Sequence, residues 1–103
     1  MARNPFQTLT EPMFYILLAL REECSGVDVM ARVEEISHGR VRVGPGTLYA
    51  LLPKLEDAGL IARTREEGRQ KWYVLTGIGS SMLETEVRRL RQMLADADGV
   101  PGR

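Results

Sequence analysis

The chain has 103 residues, which is enough for one domain with a modest core. Its 14 basic and 14 acidic side chains cancel, so total charge gives no indication of a nucleic-acid partner. A single cysteine, Cys24, excludes an internal disulfide framework and fits a reducing compartment. The longest apolar run, Met13 to Leu20, is far shorter than the ~20 residues of a membrane-spanning helix. We therefore expect a cytoplasmic protein without a membrane segment.

The charges are unevenly distributed along this neutral chain. Residues 1–37 carry three basic and six acidic side chains, a net charge of −3. Residues 38–75 carry seven basic and four acidic side chains, a net charge of +3, and residues 76–103 carry four of each. A local positive excess indicates a nucleic-acid surface better than the total does. The middle third is therefore where a DNA contact is expected.

Two helices are predicted first. Helix one should run from Thr10, as its cap, to about Glu23, with Pro12 in its first turn. It is apolar on nearly every side, so more than one side must be covered. Helix two is predicted from about Val27 to His38. The strict alternation of Arg40 to Val43 then predicts a short strand with both arginines outward.

A third helix and a hairpin follow. The helix is predicted from Pro45, a natural first-turn residue, to Gly59. Its buried stripe is expected to comprise Leu48, Leu51, Leu52 and Leu55. Pro53 lies inside it, and an interior proline costs ~3 kcal/mol, so a kink or local distortion is expected there. Residues 60–65 and 69–75 are β-like, with the turn predicted at residues 66–68.

A fourth helix is predicted from Gly77 to about Ala97, with Thr76 as its cap. Apolar residues recur on it at spacings of four, three and four, as in a heptad seam. The resulting dimerisation residues are Leu83, Val87, Leu90 and Leu94. About two and a half heptads are too short to be stable alone, so this helix needs helix one or a second subunit.

This element order predicts a mainly α fold with a small β-wing. Residues 8–76 would form a winged helix-turn-helix DNA-binding domain and residues 77–97 a C-terminal dimerisation helix, with flexible termini at 1–7 and 98–103. Such a fold places its third helix in the major groove, where side chains meet base edges. The helix start also favours a phosphate. The side chains expected to contact DNA are Arg42, Thr47, Tyr49, Lys54, Arg65, Arg69 and Lys71.

Several short motifs resemble those of PadR-family transcriptional regulators, over residues 8–95. The motifs are Pro45-Gly46-Thr47-Leu48-Tyr49, Leu55-Glu56, Gly59-Leu60-Ile61, Trp72-Tyr73-Val74-Leu75-Thr76 and Gly79. The length resembles the short subfamily, whose members have a single C-terminal helix. The resemblance implies a homodimeric repressor joined through helix four and often helix one. It also implies an inverted-repeat operator in double-stranded DNA and release by a small apolar or aromatic effector or a stress signal. Helix four lacks the tryptophan of the aromatic clamp known in multidrug-binding short members.

Other interpretations of the residues stay open. Zero net charge also allows a winged-helix protein–protein interaction module that does not bind DNA. Cys24 could sense oxidants, although a lone cysteine near a helix end is more often a packing residue. Phe14, Tyr15 and Trp72 are expected to pack rather than to bind a ligand. His38 has no partner at metal-ligand spacing, and no nucleophile–base pair or phosphate loop is evident, so we predict no metal, no cofactor and no enzyme.

Overall fold

The structure is a computed structural model that describes residues 8–101. Within this range the chain forms α1 (Glu11–Ala19), β1 (Cys24–Ser25), α2 (Gly26–Ile36), α3 (Pro45–Asp57), β2 (Ile61–Glu67), β3 (Gln70–Leu75) and α4 (Gly77–Gly99). The three strands make one antiparallel sheet in the order β1-β3-β2. The predicted mainly α fold with a β-wing is thus confirmed. Of the predicted flexible termini, residues 1–7 and 102–103 lie outside the described residues.

Short polar side chains start three of the helices. The hydroxyls of Thr10, Ser25 and Thr76 each accept a hydrogen bond from the amide three residues further on, at 3.3, 3.2 and 3.0 Å. Each bond satisfies an amide that has no partner within its helix. The start of α3 differs, because Gly44 offers no side-chain acceptor and Pro45 occupies the first turn. The first-turn amides of α3 therefore keep their capacity to bind an anion.

The core lies between the first three helices, the sheet and the start of α4. Its fully buried large side chains are Ile16, Leu17, Leu20, Val29, Val33, Leu48, Leu52, Leu55, Leu60, Ile61 and Leu83. Most of them come from helices, at the three- and four-residue spacings that put side chains on one face. From Arg88 to Val100, by contrast, every residue of the chain is exposed. The radius of gyration is 15.1 Å, against ~13 Å for a compact domain of this length, because α4 extends beyond the core.

Helix α1 ends earlier than predicted, at Ala19 instead of about Glu23. The chain leaves the helix because Cys24 and Ser25 pair with β3 as an edge strand. Arg32 of α2 donates to the Ala19 carbonyl at 2.9 Å, so the exposed end of α1 has a partner. The strand β1 is only two residues long and has no periodicity of its own, which is why the sequence did not reveal it.

The strand predicted over residues 40–43 was wrong. The alternation is real, because Val41 and Val43 are buried while Arg40 and Arg42 are exposed. Among residues 8–101, however, the backbone of this segment has no strand partner. The Ser37 hydroxyl accepts from the Val41 amide at 3.0 Å and donates to its carbonyl at 3.2 Å. A side chain therefore satisfies the backbone groups that a neighbouring strand would otherwise bind.

Two further boundaries differ from the predictions. The hairpin turn consists of Gly68 and Arg69, and residues 66 and 67 belong to β2. Gly68 has a φ of 58°, which a two-residue turn requires and glycine adopts without steric cost. Helix α4 continues to Gly99, so residues 98 and 99, predicted to be flexible, are helical. Helix α3 runs through Pro53 as one continuous helix.

Candidate nucleic-acid interface

Helix α3 has one buried and one exposed face. Leu48, Leu52 and Leu55 are buried in the core, and Leu51 is half-buried, as the predicted stripe requires. The exposed residues on the opposite face are Thr47, Tyr49, Ala50, Pro53 and Lys54. Because Gly44 and Gly46 are exposed and carry no side chain, a partner's backbone can approach the first turn closely. The exposed face of α3 is therefore the face that the sequence predicted to contact DNA.

Tyr49 is the largest side chain on this face and is 50% exposed. Its ring lies beside Gly26 at the start of α2. A β-carbon added to Gly26 would stand 3.4 Å from Tyr49 Cε1 and 3.6 Å from the phenol oxygen. The absence of a side chain at residue 26 therefore leaves room for the ring, whose hydroxyl remains able to donate. Nothing in the sequence pattern connected Gly26 with Tyr49.

The wing has two faces, and they carry different basic residues. Arg65 is paired across the strands with Trp72, and its guanidinium carbon lies 3.9 Å from the Trp72 ring centroid. Lys71 follows Trp72 on β3 and is paired with Glu66, so it points to the other face. The Trp72 ring packs against Arg65, in keeping with its predicted packing role. The basic residues predicted to contact DNA from the wing therefore do not converge on one surface.

Arg69 and Lys71 share a groove with the recognition helix. We call it the Tyr49 groove, and it has a volume of about 220 Å³. The lining side chains that matter here are Tyr49, Leu52, Pro53, Arg69, Lys71 and Tyr73. Within residues 8–101, neither Arg69 nor Lys71 has a carboxylate within 4.0 Å, and Lys71 is half-buried. Two unpaired positive charges thus face the exposed tyrosine of α3.

The other predicted basic contacts are arranged differently. Arg42 is exposed and lies 3.4 Å from the Glu34 carboxylate, which offsets its charge. Lys54 is exposed on α3, one residue after Pro53. Arg63, which the sequence did not single out, lies 3.4 Å from Glu56 and 3.1 Å from Glu66. The Glu56 carboxylate raises the pKa of Arg63 above its ordinary value. Arg63 therefore joins the wing to the end of α3 and is not a free cation for a phosphate.

Tyr73 lines the floor of the groove and is 6% exposed. Burial raises the pKa of its phenol, and the nearby Arg63 charge opposes that effect. The phenol stays neutral at physiological pH because both the ordinary pKa of about 10 and the raised value lie well above it. The floor of the groove is thus aromatic and uncharged, beneath a positively charged rim.

The four predicted dimerisation residues occupy two different environments. Leu83 is 1% exposed and belongs to the core of its own chain. Val87 is half-buried, whereas Leu90 and Leu94 are 40% and 63% exposed. Met93 beside them is 46% exposed. The distal half of the seam therefore forms an apolar row that the described part of the chain leaves exposed.

A carboxylate inside this seam fixes α4 to the start of the chain. Glu86 is 5% exposed and accepts from the Leu9 amide at 2.7 Å and from Arg89 Nε at 2.5 Å. The bond from Arg89 lowers the pKa of Glu86, assisted by the Leu9 amide and opposed by burial. Two hydrogen-bond donors satisfy this buried charge. Because one of them is the Leu9 amide, the bond fixes the position of α4 relative to the segment before α1.

Cys24 lies in β1 and is 3% exposed. Burial raises the pKa of its thiol, and the Arg32 charge only partly offsets this. A buried thiol with a raised pKa is a poor nucleophile, so its environment does not favour oxidant sensing. In the described part of the chain, no three His, Cys, Asp or Glu side chains are grouped as a metal site would need. No described helix is both long and apolar enough to cross a membrane.

A helix-turn-helix followed by a β-wing, with a solvent-facing third helix beside unpaired cations, defines the winged-helix class of DNA-binding regulators. The chain belongs to the PadR-like family of transcriptional regulators, whose family model matches residues 16–85. Members of this family are regulators and not enzymes, as the sequence predicted. The resemblance noted from the motifs is therefore confirmed.

Individual relatives agree with this placement. The transcriptional regulator YqjI of Escherichia coli is 31% identical over 64 residues, which are 62% of this chain and 31% of YqjI. A solved PadR-like transcription factor from Bacteroides fragilis has a TM-score of 0.71 and 26% identity, covering 85% of this chain and 87% of that one. Bordetella bronchiseptica BpsR has a TM-score of 0.69 and 26% identity, covering 92% of this chain and 64% of that one. The chain spans 19% to 31% of the length of the curated relatives that it matches.

Proposed function

We propose that this protein is a cytoplasmic homodimeric repressor that binds an inverted-repeat operator through α3 and the wing. The observation that carries the proposal is the position of Tyr49, exposed on α3 and facing the unpaired cations Arg69 and Lys71 across one groove. This arrangement would allow α3 to enter the major groove while Arg69 and Lys71 of the wing contact the flanking phosphates. Arg42 and Lys54 would add backbone contacts on the other side of α3.

The homodimer is supported by the exposed row on α4. Leu90, Met93 and Leu94 lie on neighbouring turns and are 40% to 63% exposed. A symmetric pairing of two such helices would remove these side chains from water and set two copies of α3 a fixed distance apart. Half-sites about one helical turn, or ~34 Å, apart would follow from that symmetry.

Release by a small apolar or aromatic effector is part of the same proposal. BpsR is described as a protein whose DNA binding is regulated by 6-hydroxynicotinic acid. In this chain Phe14 and Tyr15 border a second groove, of about 200 Å³, between α1 and α4. Leu90 of the exposed row borders it too. An effector bound there would contact the proposed subunit interface and alter the spacing of the two reading helices.

Selection of bound sequences from random double-stranded DNA tests the function. A palindromic consensus is expected, because a two-fold dimer reads two equivalent half-sites. Protein without affinity for any selected sequence at low salt, together with stable capture of a protein partner, would instead support an interaction module.

The contact assignment is tested by fluorescence anisotropy on the selected operator. Tyr49→Ala and the double variant Arg69→Ala/Lys71→Ala should each weaken binding by about tenfold or more, without unfolding the domain. The double variant should also reduce the slope of log K against log salt by about 3.6, because each subunit of the dimer loses two phosphate contacts and each contact contributes ~0.9. Arg21→Ala removes an exposed arginine next to α1 and is the matched control, with unchanged affinity expected. Wild-type affinity in both test variants would contradict the assignment.

A further inference from the structure

Arg63 and Glu66 lie on the same face of the wing because β2 contains a bulge between them. The pairing of β2 with β3 shifts by one residue between Arg63 and Arg65, so Thr64 is an extra residue on the β2 side. In a regular strand, residues three apart point to opposite faces. The extra residue reverses this relation and puts the Arg63 and Glu66 side chains on one face.

The same face carries Lys71, which lies directly across the hairpin from Glu66. The register pairs Glu66 with Lys71 and Arg63 with Tyr73, and directly opposed residues share a face of the sheet. Lys71 and Tyr73 are two residues apart on β3 and both border the Tyr49 groove. The Glu66 carboxylate therefore has two neighbouring cations, Lys71 across the hairpin and Arg63 along its own strand.

Of these two cations, Arg63 is the one that binds the Glu66 carboxylate. Its Nη1 donates to Glu66 at 3.1 Å, and its Nη2 donates to Glu56 of α3 at 3.4 Å. The guanidinium presents its nitrogens in a fixed fork, so one side chain holds both carboxylates. Lys71 has no carboxylate within 4.0 Å among residues 8–101, although its cross-strand neighbour is an acid. Arg63 thus takes up the carboxylate that lies nearest to Lys71 in the register.

We infer that Arg63 is a positioning residue for operator binding, which holds the Glu66 carboxylate away from Lys71 and leaves the Lys71 ammonium unpaired for a phosphate. In this role Arg63 acts through Glu66 and does not itself contact DNA. The inference rests on the proposed function, because Lys71 is assigned there to a phosphate of the operator. Without Arg63, the carboxylate would pair with the ammonium across the hairpin, as opposite charges do at directly opposed positions. Lys71 would then have to break that ion pair before it could bind a phosphate.

A pair of charge-matched double variants tests this role by anisotropy on the selected operator. Arg63→Met should weaken binding by about five- to tenfold, because a competing ion pair must be broken in each of the two subunits. Arg63→Met/Glu66→Gln should return the affinity to within about twofold of the wild type, since the competing carboxylate is gone. Arg63→Met/Glu67→Gln has the same net charge and is the matched control. Glu67 lies on the other face, 3.8 Å from Arg65, so this variant should bind as weakly as Arg63→Met.

The pairing of Lys71 is measured separately, without DNA. Lys54 and Lys71 are the two lysines of the chain, so isotopic labelling of lysine carbons gives two sets of side-chain signals in an NMR spectrum. The Lys71 Cε signal should move in Arg63→Met and return in Arg63→Met/Glu66→Gln, because the partner carboxylate is free only in the first variant. The Lys54 signal should stay in place in both variants, and circular dichroism should report a folded domain in each.

A loss of affinity in Arg63→Met that Glu66→Gln does not restore would overturn the inference, because Arg63 would then contact DNA itself or act only on the fold. Equal restoration by Glu66→Gln and Glu67→Gln would also overturn it, since net charge would be the cause. Wild-type affinity in Arg63→Met, or an unmoved Lys71 signal, would show that Glu66 does not compete for Lys71. A protein that binds no operator, but whose Lys71 signal responds as expected, would refute the proposed function and leave the pairing of Arg63 and Glu66 as the reason that Lys71 is unpaired.

Discussion

At the scale of single residues, Gly79 has the least room of the described glycines. It lies in the first turn of α4, where the helix passes Leu60, between α3 and β2. A β-carbon there would collide with the Leu60 carbonyl oxygen and stand 2.6 Å from Leu75 Cδ1. That carbonyl already accepts from the Thr76 amide at 3.0 Å, so it cannot move away freely. Gly79 is one of the residues that resemble the family's motifs. Its lack of a side chain lets the backbone of α4 approach the backbone at Leu60 closely.

We expect Gly79→Ala to reduce the free energy of unfolding by about 2 kcal/mol, although alanine is the better helix former by about 1 kcal/mol. Gly77→Ala is the matched control, because it changes a glycine in the same turn with nothing within 4 Å of the added carbon. That control should be neutral or stabilising by up to about 1 kcal/mol. Urea unfolding at one fixed protein concentration measures both, and a stabilising Gly79→Ala would contradict the packing described.

Glu86 makes stability depend on pH. Because folding lowers the Glu86 pKa, its carboxylate stabilises the fold above the ordinary glutamate pKa of ~4.3. That contribution is lost as the pH falls through the lowered, folded-state pKa. Glu86→Gln should cost about 1–2 kcal/mol at pH ~7, since the charged acceptor for Arg89 and Leu9 is removed. Its disadvantage relative to the wild type should shrink between pH ~5 and ~3.

Urea unfolding across this pH range measures the difference between Glu86→Gln and the wild type. Glu84→Gln is the control, because that side chain is exposed on the same helix. It should follow the wild type within about 0.5 kcal/mol. A Glu86→Gln deficit that stayed constant from pH ~7 to ~3 would mean that the titrating carboxylate is not the source of the stability.

At the scale of elements, α3 forms in spite of a proline in its interior. Pro53 cannot donate to the Tyr49 carbonyl, yet the helix continues to Asp57. Leu52 and Leu55, on either side of it, are 1% and 0% exposed. The burial of this stripe offsets the missing bond, because packing of an amphipathic face contributes more to helix stability than propensity does. Pro53 itself faces the solvent and the Tyr49 groove, where its ring has room.

Pro53→Ala should therefore stabilise the domain by about 1–2 kcal/mol. This is less than the full proline penalty of ~3 kcal/mol, because proline also restricts the unfolded chain. Lys54→Ala, at the next exposed position of α3, should change stability by less than about 0.5 kcal/mol. Thermal and urea unfolding of the two variants provide the comparison. A destabilised Pro53→Ala would show that the ring makes packing contacts worth more than the lost hydrogen bond.

The elements also show how far sequence reasoning reaches. Periodicity and capping residues predicted all four helices and the hairpin, because those signals are local. Strand β1 depends on pairing with β3, and the segment of residues 40–43 depends on the Ser37 hydroxyl, so neither follows from local pattern. The wing residues Arg65, Arg69 and Lys71 were predicted to contact DNA from either side of the wing tip. The register pairs Arg65 with Trp72 and Glu66 with Lys71, and this separates them onto two faces.

At the scale of the whole molecule, the distal part of α4 exposes a row of apolar side chains. The heptad spacing identified Leu83, Val87, Leu90 and Leu94 as equivalent, because a helical repeat does not say which turns the rest of the chain covers. The core reaches Leu83 and stops near Val87, and the two later leucines stay exposed. A second copy of the chain is the partner that a symmetric repressor would supply.

Leu90→Glu/Leu94→Glu should convert the proposed dimer to a folded monomer, because four like charges would face one another across a two-fold interface. Light scattering at micromolar concentration should give the mass of one chain for this variant and of two chains for the wild type. Operator affinity should fall by about a hundredfold or more, since the two half-sites would no longer be bound by one linked unit. Circular dichroism should still report a folded domain.

The contrast with Leu83 separates loss of the dimer from loss of the fold. Leu83→Ala removes a core side chain and should cost about 2–5 kcal/mol of unfolding free energy, without acting on the exposed row. Gln92→Glu is the charge control, because residue 92 lies about 200° around the helix from residue 90 and so faces away from the row. It should remain dimeric with wild-type operator affinity. A wild-type protein that is monomeric at micromolar concentration would contradict the α4 pairing. A dimeric Leu90→Glu/Leu94→Glu variant would move the interface to another surface, because no dimer could bury those four carboxylates unpaired.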